Sequence, residues 1–240
     1  MMLSRTPAFA EDDATHAAAL YRLMAWLSPA YPIGAFSYSS GLEWAIEAGD
    51  VRDRETLERW LGATIAEGAG FCDAVFLLHA HAATRTNDLT HLREIAELAA
   101  AFTPTKERHL ETTAQGRAFL DTTRAAWDCA ALEAFVDIWP GPYAYPVAVA
   151  VAAAGHGIAA PTAAHAYLHA LAANGISAGV RLVPLGQTDG QRALAALEPV
   201  IAATVARAET TALDDVGSAT VRADIASMRH ETQYTRLFRS

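Results

Sequence analysis

The stretch Pro146–Gly155, with the sequence PVAVAVAAAG, decides the fold class of this 240-residue chain. Its side chains are apolar all round, and a helix of that kind is buried inside a larger protein. The apolar run is far shorter than the about 20 residues needed to span a bilayer as a helix. The stretch therefore predicts a central helix that is wrapped by other helices.

The segments before this stretch repeat the spacing of amphipathic helices. Leu20, Leu23, Met24 and Leu27 lie at i, i+3, i+4 and i+7 and predict a helix over His16–Ser28. A second helix is predicted to end at about Ala48, and a third begins after an N-cap at Asp53. A fourth is predicted across Phe71–Ala82, and a fifth begins after an N-cap at Asp88. A sixth has Thr103 as N-cap and Pro104 as its first residue and runs to about Thr123, and a seventh is predicted across Trp127–Ile138.

The segments after Gly155 continue the helical pattern. We expect a helix over Pro161–Ala173 that is closed by Asn174-Gly175, and a short helix, or alternatively a strand, over Ile176–Val183. Thr188–Gln191 predicts a capping box, and Pro199 is expected to kink or divide the helix that follows.

The predicted organisation is one all-α domain, a single-domain bundle of about ten helices, because alternating β-branched residues are nearly absent. The bundle is placed at residues 15–212. A flexible N-terminus is expected at residues 1–14, and a linker with a partner-docking C-terminal tail at residues 213–240.

Composition bounds the class of protein. Hydrophobic residues make up 52% of the chain and charged residues 19%, so that a packed core is expected. A net charge of −9 argues against general nucleic-acid binding. Cys72 and Cys129 are the only cysteines, which excludes a disulfide framework and fits a reducing cytosol. We expect a cytoplasmic protein without a membrane span.

Catalytic motifs are missing from the sequence. There is no phosphate-binding G-x-x-x-x-G-K-[ST] motif, and no G-x-S-x-G nucleophile motif. The hydroxyl groups of Ser37, Ser39 and Ser40 are typical of turns and helix caps. Glu43 and Glu47 share a helix face that is predicted to be solvated. No catalytic residue is therefore predicted, and protein binding is the favoured function.

Metal-binding patterns are weak. His165 and His169 lie one helical turn apart and could share a metal ion, but no third ligand is evident. A buried structural role is expected for Cys72. No metal site and no directly bound cofactor are predicted.

The tail, residues 228–240, has the sequence MRHETQYTRLFRS and a net side-chain charge of +2 on an acidic chain. Such a segment needs a surface to bind, either its own body or a partner. On one straight helix Ile225 and Met228 would point away from Tyr234, Leu237 and Phe238. The tail must therefore break near residues 230–232 or lie between two surfaces. We expect one apolar cluster to pack on the body and the other to face a partner.

Three segments together resemble the urease accessory protein UreF family. They are Leu27–Glu43 (LSPAYPIGAFSYSSGLE), Val180–Gln191 (VRLVPLGQTDGQ) and the tail, and their order and spacing match across essentially the whole chain. Tyr31 stands where a smaller apolar residue is common, and residues 1–14 have no reliable counterpart.

The resemblance implies an all-α, non-enzymatic activation factor of urease. Such proteins act as scaffolds that join UreD (UreH) and the GTPase UreG to apo-urease for nickel insertion, and the complex handles the nickel. A homodimer and an effect on the GTPase activity of UreG are also implied. The alternative is a nickel-binding metallochaperone, with His165, His169 and Cys72 as its ligands.

The resemblance also implies which residues bind partners. In the tail these are Arg229, His230, Glu231, Gln233, Tyr234, Arg236, Leu237, Phe238 and Arg239, and Tyr38 of the first segment joins them. For Arg181 two interpretations stay open, an internal ion pair or an interface anchor.

Overall fold

A computed structural model describes residues 11–240, with side chains from Thr15 onward. The described residues form helices and loops without a β-strand, which confirms the all-α prediction. The helices are α1 (Glu11–Trp26), α2 (Leu42–Glu47), α3 (Arg54–Glu67), α4 (Ala69–Arg85), α5 (Leu89–Ala101), α6 (Lys106–Ala126), α7 (Ala130–Ile138), α8 (Tyr145–Gly155), α9 (Ala160–Leu182), α10 (Gln187–Ala208) and α11 (Val221–His230).

Helix α8 is the centre of the bundle, as predicted. Its residues from Tyr145 to Ala154 are all buried, and it packs against α4, α6, α7 and α9. At Gly116, helix α6 comes unusually close to the loop before α8, because a Cβ atom at this position would overlap the carbonyl oxygen of Tyr143. Small residues therefore let several helices approach the centre at once.

Of the N-caps predicted for α3, α5 and α6, two are confirmed and the third is wrong by two residues. The Asp53 and Asp88 carboxylates accept hydrogen bonds from the third residue of α3 and of α5, at 2.8 and 3.0 Å. Helix α6 is capped by Thr105, which accepts from the Arg108 N–H at 3.1 Å, and not by Thr103. The hydroxyl of Thr103 lies 3.2 Å from a ring nitrogen of His109.

The predicted break at Asn174-Gly175 is wrong, because α9 runs unbroken from Ala160 to Leu182. Gly175 allows α9 and α3 to pack closely, because a Cβ atom at this position would lie 2.7 Å from Cδ2 of Leu61 on α3. The Asn174 side chain donates to the Tyr38 carbonyl oxygen at 3.2 Å. Both residues therefore pack within a helix, and the strand alternative for residues 176–183 is excluded.

The start and the middle of α10 also differ from the predictions. The helix begins at Gln187 without a side-chain cap, so the capping box at Thr188–Gln191 is wrong. Asp189 instead contacts Arg192 at 3.0 Å. Pro199 does not divide the helix. Leu197 and Ile201, which lie on either side of Pro199, are both buried and hold the two halves of the helix in the bundle.

One helical run in the described residues, Arg54–Arg85, is long and apolar enough to cross a membrane by length and composition alone. In the structure this run consists of α3 and α4, which Gly68 separates. The two helices pack against α8, α9 and α10. These contacts are typical of core helices in a packed bundle.

The segment between α10 and α11 is tied to the body. It holds a short 3-10 turn at Leu213–Asp215, and the Ala219 N–H donates to the Glu67 carbonyl oxygen at 2.7 Å. The predicted flexible N-terminus at residues 1–14 lies for the most part outside the described residues. The predicted domain boundaries stay predictions.

Candidate partner-binding site

Helix α11 brings the tail onto α2 and α6. Ala226 and Ser227 are buried, and the Ser227 hydroxyl lies 2.7 Å from the hydroxyl of Thr105. Gly41 allows the close approach, since a Cβ atom there would lie 2.7 Å from the Ser227 nitrogen. Its φ of +82° also favours glycine. The first turn of α2 is therefore shaped to receive α11.

His230, the last residue of α11, is fully buried between two carboxylates. Its Nδ1 lies 2.8 Å from Glu107 Oε2, and its Nε2 lies 3.0 Å from Glu43 Oε2. Each ring nitrogen of His230 therefore lies within hydrogen-bond distance of a carboxylate oxygen. Three buried groups from α2, α6 and α11 thus form one charge-assisted bridge.

The Glu43 carboxylate also holds the tail backbone. It accepts the Leu237 N–H at 2.6 Å and the Phe238 N–H at 2.9 Å. Burial acts to raise the pKa of Glu43, but these donors and His230 outweigh it and keep the pKa below its ordinary value. The predicted solvated role is therefore wrong for Glu43, while Glu47 on the same helix is exposed. The difference arises because only Glu43 faces the returning tail.

The last two residues pair with the first segment. The Arg239 N–H donates to the Ser37 carbonyl oxygen at 2.8 Å, and the Ser39 N–H donates to the Ser240 carbonyl oxygen at 2.7 Å. The Ser39 hydroxyl donates to the same oxygen, and the Ser240 hydroxyl donates to Glu111 at 2.9 Å. The segment around Ser39 therefore holds residues 239 and 240 through backbone hydrogen bonds.

Phe238 anchors the end of the tail. Its ring is buried, and the Arg181 guanidinium carbon lies 4.4 Å from the ring centroid. Arg181 also donates to the carbonyl oxygens of Phe36 and Ser177, at 3.1 and 3.2 Å. The internal contact of Arg181 is thus a cation–π contact and not the ion pair that one of its two interpretations predicted. The other interpretation, an interface anchor, stays a prediction.

The predicted partner-binding residues fall into two groups. Tyr38, His230 and Phe238 are buried, and Arg236, although exposed, reaches back to Glu107 at 3.0 Å. The others are exposed or partly exposed; these are Arg229, Glu231, Gln233, Tyr234, Leu237 and Arg239. Among them the Tyr234 side chain is fully exposed and Leu237 is 65% exposed. The tail therefore has an inner face against the body and an outer face toward solvent.

The helix ends at His230, which confirms the predicted break in the tail. The predicted division into two apolar clusters is wrong. Ile225 and Met228 are both exposed, and Phe238 is buried while its neighbour Leu237 is not. Past His230 the backbone is not helical, so adjacent side chains can point to opposite sides.

The carboxylates that receive the tail were not predicted from the sequence. They are Glu43, Glu107 and Glu111, all buried. The positive tail on an acidic chain signals that such acceptors exist. Their positions on α2 and α6 follow only from the packing of these helices.

A second buried network lies behind Glu111. Arg108 contacts Glu111 at 2.8 Å and donates to the Ser40 hydroxyl at 2.7 Å. Asp73 on α4 accepts from the Tyr167 hydroxyl at 2.7 Å, and burial raises the pKa of Asp73 to about 6. The Tyr167–Asp73 hydrogen bond thus connects α9 to α4, and the contacts of Arg108 connect α6 to Ser40.

The described residues hold no group of three or more His, Cys, Asp or Glu side chains that could hold a metal ion. His165 and His169 are exposed on α9, and Cys72 is buried on α4. Burial raises the pKa of the Cys72 thiol to about 12, which disfavours the thiolate that a metal requires.

Fold and site together define an all-α protein whose C-terminal tail is packed on the surface of the helical body. The UreF family model matches residues 51–198. A urease accessory protein UreF from Bradyrhizobium diazoefficiens (strain USDA 110) is 59% identical over 241 residues, covering 100% of both chains. Those from Bradyrhizobium sp. (strain BTAi1) and Rhodopseudomonas palustris (strain BisB5) are 62% and 60% identical, with 92% and 100% of both chains covered. The chain belongs to the UreF family of urease accessory proteins.

Proposed function

We propose that this chain is a non-enzymatic scaffold of urease maturation. It joins UreD (UreH) and the GTPase UreG to apo-urease in the cytoplasm, so that nickel can be inserted. Nickel is the cargo of the whole complex, and this chain binds none of it directly. Membership of the UreF family supports this proposal.

The observation that carries the proposal is the outer face of the tail. The large side chains of Tyr234 and Leu237 are exposed to solvent, and Arg229 and Arg239 are exposed elsewhere in the tail. Tyr and Arg are frequent at the centres of protein interfaces because each gives contact area together with hydrogen bonds. An acidic, partly apolar partner surface suits this face by charge.

The experiment is capture of UreD (UreH) and UreG by the purified chain. Deleting Ala226–Ser240 is expected to abolish capture, but it also removes the buried His230 and Phe238. The double variant Tyr234→Ala, Leu237→Ala is the sharper test, because both side chains lie on the outer face. Loss of capture with an unchanged helical circular dichroism spectrum supports the scaffold. Unchanged capture by this double variant contradicts it.

The homodimer and an effect on UreG belong to the same proposal. Sedimentation of the purified chain measures the first, and GTP turnover by UreG with and without the chain measures the second. A chain that stays monomeric at all concentrations would contradict the homodimer, and unaltered GTP turnover would contradict an effect on UreG. Neither result bears on the scaffold role, which the capture experiment tests.

The alternative, a direct metallochaperone, rests on His165 and His169, which are exposed one turn apart on α9. Equilibrium dialysis of the isolated chain against nickel separates the two functions. The scaffold predicts no tight stoichiometric binding. Tight binding that is lost in His165→Ala would favour the metallochaperone instead.

A further inference from the structure

Helix α1 joins the bundle by one face near its C-terminal end. Leu23 and Trp26 are buried there, and the Trp26 ring makes edge-to-face contacts with Phe119 and Trp127, with ring centroids 6.1 and 5.8 Å apart. An aromatic cluster of this kind fixes the orientation of the last turns of α1. The opposite face of α1 is therefore held toward solvent by a firm anchor.

Three large side chains on the outward face of α1 are exposed. Leu20 is 60%, Tyr21 68% and Met24 66% exposed. Leu20 and Tyr21 precede Met24 by four and three residues, so both are its neighbours on the helix surface. Single exposed apolar residues are normal, whereas a cluster of them marks an interaction site. We call Leu20, Tyr21 and Met24 the α1 patch.

Arg22 lies within the same turn and carries an uncompensated charge. Its Nε atom is buried and has no hydrogen-bond acceptor among the described residues. On the neighbouring helix α6, by contrast, Arg117 is paired with Asp121 at 2.8 Å. A buried donor of a charged group without an acceptor is costly. A carboxylate supplied from outside would remove this cost.

His156, just after α8, lies beside this site. Its ring centroid is 5.2 Å from that of Trp26, and the buried atoms His156 Nε2 and Trp26 Nε1 have no partner among the described residues either. Burial lowers the pKa of His156, and the positive charge of Arg22 acts in the same direction. Asp128 opposes this shift with the smaller effect and is itself exposed. Positive charge therefore prevails beside the α1 patch.

The α1 patch and the tail lie at opposite ends of α6. Glu107 in the first turn of α6 contacts His230 of the tail, whereas Trp127, directly after the last turn, contacts Trp26 of α1. A helix of 21 residues is about 30 Å long. The α1 patch is therefore a separate surface from the outer face of the tail.

We propose that the α1 patch is a second docking surface, for an amphipathic helix of a partner protein that sets apolar side chains against Leu20, Tyr21 and Met24 and a carboxylate against Arg22. Helix-to-helix recognition uses apolar anchors at this spacing, and opposite charges fix the register. A second copy of this chain suits the patch poorly, because a two-fold contact centred between Leu20 and Met24 would bring two Arg22 side chains together. The inference rests on the proposed scaffold role and adds a surface to it.

The test is capture of apo-urease, UreD (UreH) and UreG, each offered separately to the purified full chain. Apo-urease is the probe for the α1 patch, because the outer face of the tail is assigned to the other two proteins. The double variant Leu20→Ala, Met24→Ala is expected to capture apo-urease about tenfold or more weakly. Its capture of UreD (UreH) and UreG is expected to equal that of wild type.

Charge is tested with Arg22→Gln, which is expected to weaken capture of apo-urease as well. Its difference from wild type should shrink at high salt, because salt screens the charge pair in wild type. Leu110→Ala and Arg117→Gln change exposed side chains on α6 and are the matched controls. Both are expected to capture apo-urease like wild type.

Four results overturn the inference. They are no capture of apo-urease by wild type, unchanged capture by Leu20→Ala, Met24→Ala, weaker capture of UreD (UreH) or UreG by this variant, and its sedimentation as a smaller species, which would assign the patch to a second copy. If Arg22→Gln does not fold, the double variant decides alone. Failure of the proposed function is distinguishable, because the Tyr234→Ala, Leu237→Ala variant then captures UreD (UreH) and UreG normally.

Discussion

The Glu43 carboxylate and the His230 ring lie 3.0 Å apart across 187 residues of sequence. Both side chains are buried, and His230 contacts Glu107 on its other side. This contact joins a short helix near the N-terminal end of the bundle to the end of the chain's last helix. It makes the inner face of the tail part of the folded body.

His230→Ala is expected to lower the free energy of unfolding by about 3 kcal/mol or more. The substitution removes the ring that bridges the buried Glu43 and Glu107 carboxylates, and breaking a buried pair costs about 3–5 kcal/mol. Urea unfolding followed by circular dichroism measures the change. Arg229→Ala, at the exposed neighbouring position, is the control and is expected to stay within about 0.5 kcal/mol of wild type. Equal stability of the two variants would contradict the buried bridge.

Stability should depend on pH through Asp73. Burial raises the pKa of Asp73 to about 6, above its ordinary value of 3.8. A raised carboxyl pKa contributes stability at low pH that is lost as the pH rises through about 6. Wild type should therefore gain stability relative to Asp73→Asn when the pH falls from about 7 to 5.

Urea unfolding at several pH values measures this difference. The exposed Asp137→Asn is the control, and its difference from wild type should stay constant over the same range. Parallel stability curves for wild type and Asp73→Asn would show that Asp73 has an ordinary pKa.

Replacing two helical glycines, Gly116 and Gly62, with alanine should change the free energy of unfolding in opposite directions. A Cβ atom at Gly116 overlaps the Tyr143 carbonyl oxygen, and backbone cannot move aside easily. Gly116→Ala is expected to destabilise by about 1–3 kcal/mol through overpacking. At Gly62 the nearest atom is Cδ2 of Leu197 at 3.7 Å, so Gly62→Ala should stabilise by up to about 1 kcal/mol through helix propensity.

Thermal unfolding of the two alanine variants against wild type measures both effects. A Gly116→Ala protein as stable as wild type would mean that α6 and the loop before α8 are farther apart than in the structure.

Tyr234→Ala is expected to weaken binding to UreD (UreH) by about tenfold or more without a change in thermal stability, as is usual for an aromatic residue at the centre of an interface. Calorimetric titration measures the affinity. Tyr21→Ala on α1 removes another exposed tyrosine and is the matched control. A similar loss of affinity in both variants would refute a specific role for the tail.

The sequence predicted more of the fold than of the site. The all-α class, the buried helix α8 and the caps at Asp53 and Asp88 were predicted, because each depends on local periodicity or on a short capping pattern. The break at Asn174-Gly175 was wrong, because glycine ends helices by local preference but also allows close helix contacts. Only the position of α3 distinguishes these two uses.

Likewise, the sequence alone determined that a positive, aromatic tail on an acidic chain must find a surface, and that this tail cannot be one straight helix. It also placed the chain in its family through three distant segments. Which tail residues turn inward was decided by the tertiary structure. Glu43 and Glu47 are one turn apart on the same helix and chemically identical. Packing of α11 against α2 gives only Glu43 the tail's donors, because burial and partners depend on neighbours distant in sequence.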